Sequence, residues 1–127
     1  MNQEQQKEKI EKYVAAYNNF DTDAMLQLFD SECLFENYSG GELTTSANGI
    51  SELRAMMEQG KNIFVSRKQT ITKLEFHNEI AIAEIDYQGK LKIDLPNGSK
   101  AGDELKLQGR SEFEFLNGLI KSLKDFG

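Results

Sequence analysis

Tyr13 and Tyr17 stand one helical turn apart, and an interior phenol on a helix can hydrogen-bond a ligand carbonyl and stabilise charge building on its oxygen. The alternative is a pair of core tyrosines whose hydroxyls find backbone or water partners. Tyr38, beside Asn37, adds another phenol to the same cavity or sits at its rim. Along Asp103 to Leu116, strand alternation places Leu107, Gly109, Ser111, Phe113 and Phe115 on one face, with Ser111 the sole polar side chain among them. Lys106, Gln108, Arg110, Glu112 and Glu114 fall on the other face. Glu84, Asp86, Arg110, Glu112 and Glu114 would form a charged cluster with paired carboxylates for acid and base work if the faces were reversed. Charges alternating along a strand more often mark a solvated or interfacial face, where Arg110 would ease repulsion or pair across a dimer. A one-residue slip of register exchanges the two alternatives.

Other chemistries find little support. The single histidine, His77, falls in a turn beside Asn78, and no His-x-His or Glu-x-x-His spacing suggests zinc or non-haem iron. A carboxylate-only Mg²⁺ or Ca²⁺ site stays open, and no cofactor is expected. Cys33 reads as a small buried hydrophobe rather than a nucleophile. Ser39-Gly40-Gly41 and Asn97-Gly98-Ser99 lack the spacing and lysine of a phosphate loop and are expected to be turns.

The elements that must position these residues follow from periodicity. Ile10, Tyr13, Val14 and Tyr17 recur at helical spacing within Gln3 to Asn18, opposite a charged face. Asp21 caps a second short helix, whose buried side is Met25, Leu26, Leu28 and Phe29. Cys33 to Asn37 makes a brief strand, Ser39 to Gly41 a turn, and a loop runs to about Ser46. Either Ser46 or Asn48 caps a third helix carrying Ile50, Leu53, Met56 and Met57, which Gly60 ends. The pattern then alternates: strands over Phe64 to Phe76, Ile80 to Leu95 with a bulge or bend at Gln88-Gly89, Asp103 to Leu116, and Leu119 to Phe126 after an Asn117-Gly118 hairpin turn. Three helices segregated from antiparallel strands give an α+β domain spanning 1–127, with the helices on one face of a strongly curved antiparallel sheet that encloses a cone-shaped pocket. On the strand from Ile80, Ala81, Ala83, Ile85 and Tyr87 share a face. The two alanines leave room for a ligand or admit a closely packed helix.

Several segments in this order carry a resemblance: Lys12-Tyr13-Val14-Ala15-Ala16-Tyr17-Asn18, Met25-Leu26-Gln27-Leu28-Phe29 followed by Cys33-Leu34-Phe35-Glu36-Asn37, Ile50-Ser51-Glu52-Leu53-Arg54, Asp86-Tyr87-Gln88-Gly89 and Phe113-Glu114-Phe115-Leu116-Asn117-Gly118. Together they resemble the nuclear-transport-factor-2-like superfamily, in its SnoaL-like and ketosteroid-isomerase-like branches. The resemblance implies an α+β barrel around an apolar pocket, homodimers through the outer sheet face, and isomerase, cyclase, dehydratase or non-catalytic roles. It implies an oxyanion-binding tyrosine at Tyr13. It puts Asn37 where ketosteroid isomerases hold their aspartate base, and Ser111 where they hold a protonated aspartate. An amide cannot take a proton near neutral pH, so any base must be water or another side chain.

A charge of −6, from 15 basic against 21 acidic residues, and the lack of a Lys/Arg stripe argue against a nucleic-acid surface. One cysteine precludes an intrachain disulfide, and no apolar run has the length of a signal peptide core or membrane span, so a cytoplasmic protein without membrane contact is expected. The resulting expectation is a small apolar molecule, ring- or polyketide-like, held by Tyr17, Phe29, Phe35, Tyr38, Ala83, Ile85, Leu107 and Phe113, with Tyr13, Asn37 and Ser111 steering a carbonyl. The alternative is a non-catalytic dimeric interaction module whose pocket is filled by its own side chains.

Overall fold

Helix α1, Gln3–Asn18, starts in a reciprocal cap: Gln5 N donates to Asn2 Oδ1 at 2.8 Å, and Asn2 N donates to the Gln5 side chain at 3.1 Å. Its apolar stripe of Ile10, Tyr13, Val14 and Ala16 is buried. The computed structural model describes residues 1–127 and continues with α2, Thr22–Leu26, β1, Phe29–Ser39, β2, Glu42–Asn48, and α3, Gly49–Ile63. Four strands follow: β3, Phe64–His77, β4, Ile80–Leu91, β5, Glu104–Leu116, and β6, Leu119–Phe126. They form one six-stranded sheet in the order β2-β1-β6-β5-β4-β3. All neighbours are antiparallel except β1 and β6. The sheet is therefore mixed rather than purely antiparallel, and it stays open, with β2 and β3 at its edges.

The helices lie on one face of the curved sheet, α1 against β3 and α3 against β1. Asn18 fixes the first of these contacts, its Oδ1 accepting from Gln69 N at 2.7 Å and its Nδ2 donating to Gln69 O at 3.2 Å. That brackets an edge-strand peptide whose groups would otherwise need water. Ile10, Met25 and Leu53 from the helices meet Phe113, Phe115, Ile120 and Leu123 from the sheet in a single core. No helix is long and apolar enough to cross a membrane.

Several boundaries differ from the sequence expectation. Phe29 opens β1 rather than closing α2, and β1 runs eleven residues where a brief strand was expected. The expected loop before Ser46 is strand β2, joined to β1 through Gly40 and Gly41 at positive φ. Thr44 is bulged out of this pairing, and its hydroxyl donates to Asn37 O at 3.1 Å, which stabilises a strand of otherwise polar, exposed residues. Asn48 occupies the cap position of α3 without a side-chain capping bond; instead its N–H donates to Glu52. Gly60 lies inside α3, not at its end. Gln88 and Gly89 pair in register with both neighbours, so no bulge forms there. Gly89 leaves room for the Phe64 ring that crosses it, 3.0 Å from where a Cβ would sit. The irregularities of this sheet half lie at Val65 and Thr72 of β3, and β4 stops at Leu91 rather than Leu95.

Candidate functional site

A row of side chains crosses the sheet on its helix-covered side. Thr45 of β2 pairs with Asn37 of β1, Asn37 with Asp125 of β6, Asp125 with Ser111 of β5, and Ser111 with Ala83 of β4. Asp125 was not among the residues the sequence pointed to. Its place depends on a break in β6: Ile120 and Leu123 are both fully buried although three residues apart, and the pairing with β5 shifts between Glu114 and Phe115 to allow it. Beyond that shift, the alternation carrying Leu123 inward also carries Asp125 inward.

Ser111 Oγ donates to Asp125 Oδ1 at 2.6 Å, a length typical of a hydroxyl on a charged acceptor, and Asp125 makes no other side-chain hydrogen bond. Burial raises the Asp125 carboxyl to about 6, partly opposed by the Ser111 bond, and no cation lies close enough to lower it. Tyr13 is 4% exposed and meets Phe29 and Phe113 edge-on, each with ring centroids 5.8 Å away. Burial, then the nearby Asp125 charge, raises its phenol well above the usual range, so the hydroxyl is a proton donor at neutral pH. Tyr17 shares a 3.0 Å hydrogen bond with the Tyr87 hydroxyl, and burial raises both phenols. Asn37 donates to Thr44 Oγ1 at 2.9 Å, which orients its amide.

These groups border two adjoining cavities. The outer, about 440 Å³, is lined in part by Asn37, Ile85, Tyr87, Leu107, Ser111 and Asp125. The inner, about 210 Å³, is lined mainly by apolar side chains, with Tyr13, Phe35, Asn37, Arg67 and Asp125 in its wall. Tyr17, Asn37, Thr45, Phe64 and Asp125 belong to both, so Asp125 stands at their junction. The larger hollow has the size of a small-molecule site.

The expected site residues divide accordingly. Tyr13, Tyr17, Phe35, Asn37, Ile85 and Ser111 are brought together around the cavities. Leu107, 55% exposed, and Tyr38 stand at the mouth. Tyr38 stacks on Phe126 at 5.0 Å and donates to Glu36 rather than adding a phenol to the interior. Phe29, Ala83 and Phe113 are packed into the core and border neither cavity. Ala81, like Ala83, is fully buried and borders neither cavity. Arg110 pairs with Glu112 at 3.1 Å on the outer face, where Glu84 and Asp86 are also exposed, so the reversed-face carboxylate cluster does not form inside. His77 is exposed and Cys33 buried.

Comparison with known proteins is consistent with this architecture. The sequence profile of the SnoaL-like domain matches residues 10–123. The chain belongs to the SnoaL-like domain family. None of the curated proteins matches it. Among solved structures, this SnoaL-like domain is similar to a proposed polyketide cyclase from Xanthomonas campestris pv. campestris, at 15% identity and TM-score 0.85, covering 100% of this chain and 93% of the other. A second proposed polyketide cyclase, from Pseudomonas putida KT2440, gives 21% identity and TM-score 0.74 over 94% and 88% of the two chains. A protein of unknown function with the nuclear-transport-factor-2-like fold, from Burkholderia pseudomallei K96243, gives 13% identity and TM-score 0.79 over 98% and 90%. At these identities the likeness shows the fold alone.

Three residues that shape the site in this SnoaL-like domain escaped the sequence reading: Asp125, Tyr87 as the partner of Tyr17, and Arg67, whose guanidinium carbon sits 3.7 Å from the centre of the Tyr17 ring. Asp125 also lies beyond the stretch the family profile matches. A carboxylate with one free oxygen, close to a protonated phenol in an apolar hollow, is chemically a proton acceptor facing a hydrogen-bond donor.

Proposed function

We propose that this domain binds an apolar ring- or polyketide-like molecule bearing a carbonyl and moves a proton on the carbon beside it, giving isomerase, cyclase or dehydratase chemistry. The observation that carries this is Asp125, held by Ser111 with a free oxygen at the junction of the two cavities and near the Tyr13 phenol. It supplies the base that Asn37 cannot. Raised to about 6, the carboxyl is mostly ionised at neutral pH yet more basic than an ordinary aspartate.

In this mechanism the free Asp125 oxygen takes the proton from the α-carbon, and the C–H electrons move into the carbonyl. Negative charge grows on the carbonyl oxygen, to which the Tyr13 hydroxyl donates. Ser111 holds the carboxylate in place while the Asn37 amide orients the substrate. Protonated Asp125 then returns the proton to a carbon of the enolate, completing an isomerisation, or the enolate carbon attacks a second carbonyl carbon of the same molecule, whose C=O π pair moves onto its oxygen and takes the proton from Asp125, closing a ring. The two solved neighbours proposed as polyketide cyclases support this class. Homodimers through the outer face, where Ile80 is exposed, and a cytoplasmic setting belong to the same proposal.

The test is deuterium exchange at the α-carbon of bicyclic ring ketones such as 2-tetralone, followed by NMR. The wild-type protein should accelerate exchange, Asp125→Asn should abolish the acceleration, and Tyr13→Phe should reduce it by about a hundredfold. Exchange no faster than in buffer, or an Asp125→Asn variant as fast as wild type, would overturn the proposal. The filled-pocket module is disfavoured by the open volume beside Asp125.

A further inference from the structure

Arg67 points inward from β3 and is 8% exposed, yet it has no carboxylate partner. An ionised guanidinium buried without a counter-charge is strongly disfavoured unless its protons are satisfied. Part of the compensation is visible. Nε donates to Tyr17 O at 2.9 Å, a carbonyl in the last turn of α1 where the helix end is electronegative. The rings of Tyr17 and Phe20 lie 3.7 Å and 4.3 Å from the guanidinium carbon. These contacts fix the side chain through Nε and its flat faces, and no carboxylate accepts from Nη1 or Nη2. The Tyr17 hydroxyl lies against the guanidinium as well as sharing its 3.0 Å hydrogen bond with Tyr87, but a neutral phenol supplies no counter-charge.

The end of the fork, which has no counter-charge, has space in front of it. Nη1 lies against Gly60 of α3, only 2.8 Å from where a Cβ would stand, and both residues border the inner cavity with Tyr13 and Asp125. The one carboxylate in that wall, Asp125, is held by Ser111 and makes no bond to Arg67. A guanidinium fork facing an apolar hollow matches the planar geometry of a carboxylate.

We propose that Arg67 is the recognition site for an ionised acid group, so that the molecule this domain prefers is an aromatic or polyketide-like carboxylic acid, which a neutral ring ketone mimics without the acid contact. This rests on the cavity being a small-molecule site. The acid group docks on Arg67 at the Gly60 end, the carbonyl reaches Tyr13, and the reacting carbon faces Asp125, which keeps the two carboxylates apart. Lys68, Lys90 and Lys106 surround a shallow hollow of about 190 Å³ that Arg67 also borders, with Glu104 the only acid there. These lysines alternate with Arg67 and Leu105 and so project from the outer face of the sheet, where they add local positive charge behind Arg67 on a chain of charge −6.

Isothermal titration with benzoate, 2-naphthoate and anthracene-2-carboxylate, each against its methyl ester, tests the assignment in wild type, Arg67→Gln and Gly60→Ala. Wild type should bind at least one acid tenfold or more tightly than its ester. Arg67→Gln should bring acid and ester to within about twofold of each other while the ester affinity holds. Gly60→Ala keeps the cation but puts a methyl group against Nη1, and should narrow the acid preference even if Arg67→Gln, which also loses the bond to α1, fails to fold. Ester binding equal to acid binding in wild type would overturn the Arg67 assignment and leave the cavity reading standing. An acid preference surviving in both variants would do the same. No binding by any acid or ester would overturn both.

Discussion

Replacing Asp125 with Asn should stabilise the protein at pH 8 and leave it nearly unchanged at pH 4. The carboxyl is raised from 3.8 to about 6 by burial. Between those values the folded state binds more protons than the unfolded state, so stability falls as pH rises. The favourable contribution is complete below the unfolded value and has been lost once pH has passed through the folded value. Each pH unit of displacement corresponds to about 1.36 kcal/mol, so ionised Asp125 costs about 3 kcal/mol above pH 6. Asn has the shape of the protonated acid, carries no charge, and still offers Ser111 an oxygen in place of the 2.6 Å bond to Oδ1. Urea denaturation of both proteins at several pH values isolates the effect, since every other titrating group cancels in the difference. The expected difference rises from near zero at pH 4 to about 3 kcal/mol at pH 8. A pH-independent difference, or an Asn variant less stable at pH 8, would refute the burial of an unpaired carboxylate. The same substitution should abolish proton exchange, so stability and activity should move in opposite directions, as expected of a functional charge held in an apolar site.

Two further outcomes follow from the same geometry. Ser111→Ala removes the one bond that favours the ionised form and should move the Asp125 midpoint upward by about one to two pH units, read from the pH dependence of α-carbon exchange; a midpoint that stays put or falls would contradict the assigned bond. Gly109→Ala should cost about 2 kcal/mol or more in urea denaturation, because the new methyl would run into the Phe126 carbonyl of β6, and a neutral result would rule out that close approach.

The helices and the long strands were legible because each buries one face against a partner of matching period. Ile10, Tyr13 and Val14 mark α1 by spacing alone, and Asn117-Gly118 marks the β5–β6 turn, with both residues at positive φ. Strand β2 was not legible. Its seven residues are exposed apart from Ala47, so it has no apolar alternation to read, and it exists because β1 offers it backbone partners. The parallel pairing of β1 with β6 was equally hidden, since it joins residues at opposite ends of the chain and no turn records it.

The same limits explain what was legible of the site. Tyr13, Tyr17 and Ser111 showed because each is a polar group on a face otherwise marked as buried. Asp125 did not, because hairpin counting from Asn117-Gly118 without a break opposes Ser111 to Lys124. The signal lay in Ile120 and Leu123: two apolar residues three apart in a strand cannot both face inward unless one residue between them is bulged. Placing that bulge moves the register by one and turns Asp125, rather than Lys124, toward Ser111. Arg67 was hidden for a related reason. An arginine on an edge strand ordinarily faces water, and only the packing of α1 over β3, with the Tyr17 carbonyl and two aromatic faces waiting for the guanidinium, makes an inward position tolerable. Both polar anchors of the cavity are thus set by tertiary contacts that override the local pattern, and both stand where an apolar side chain would have packed without the need for a partner.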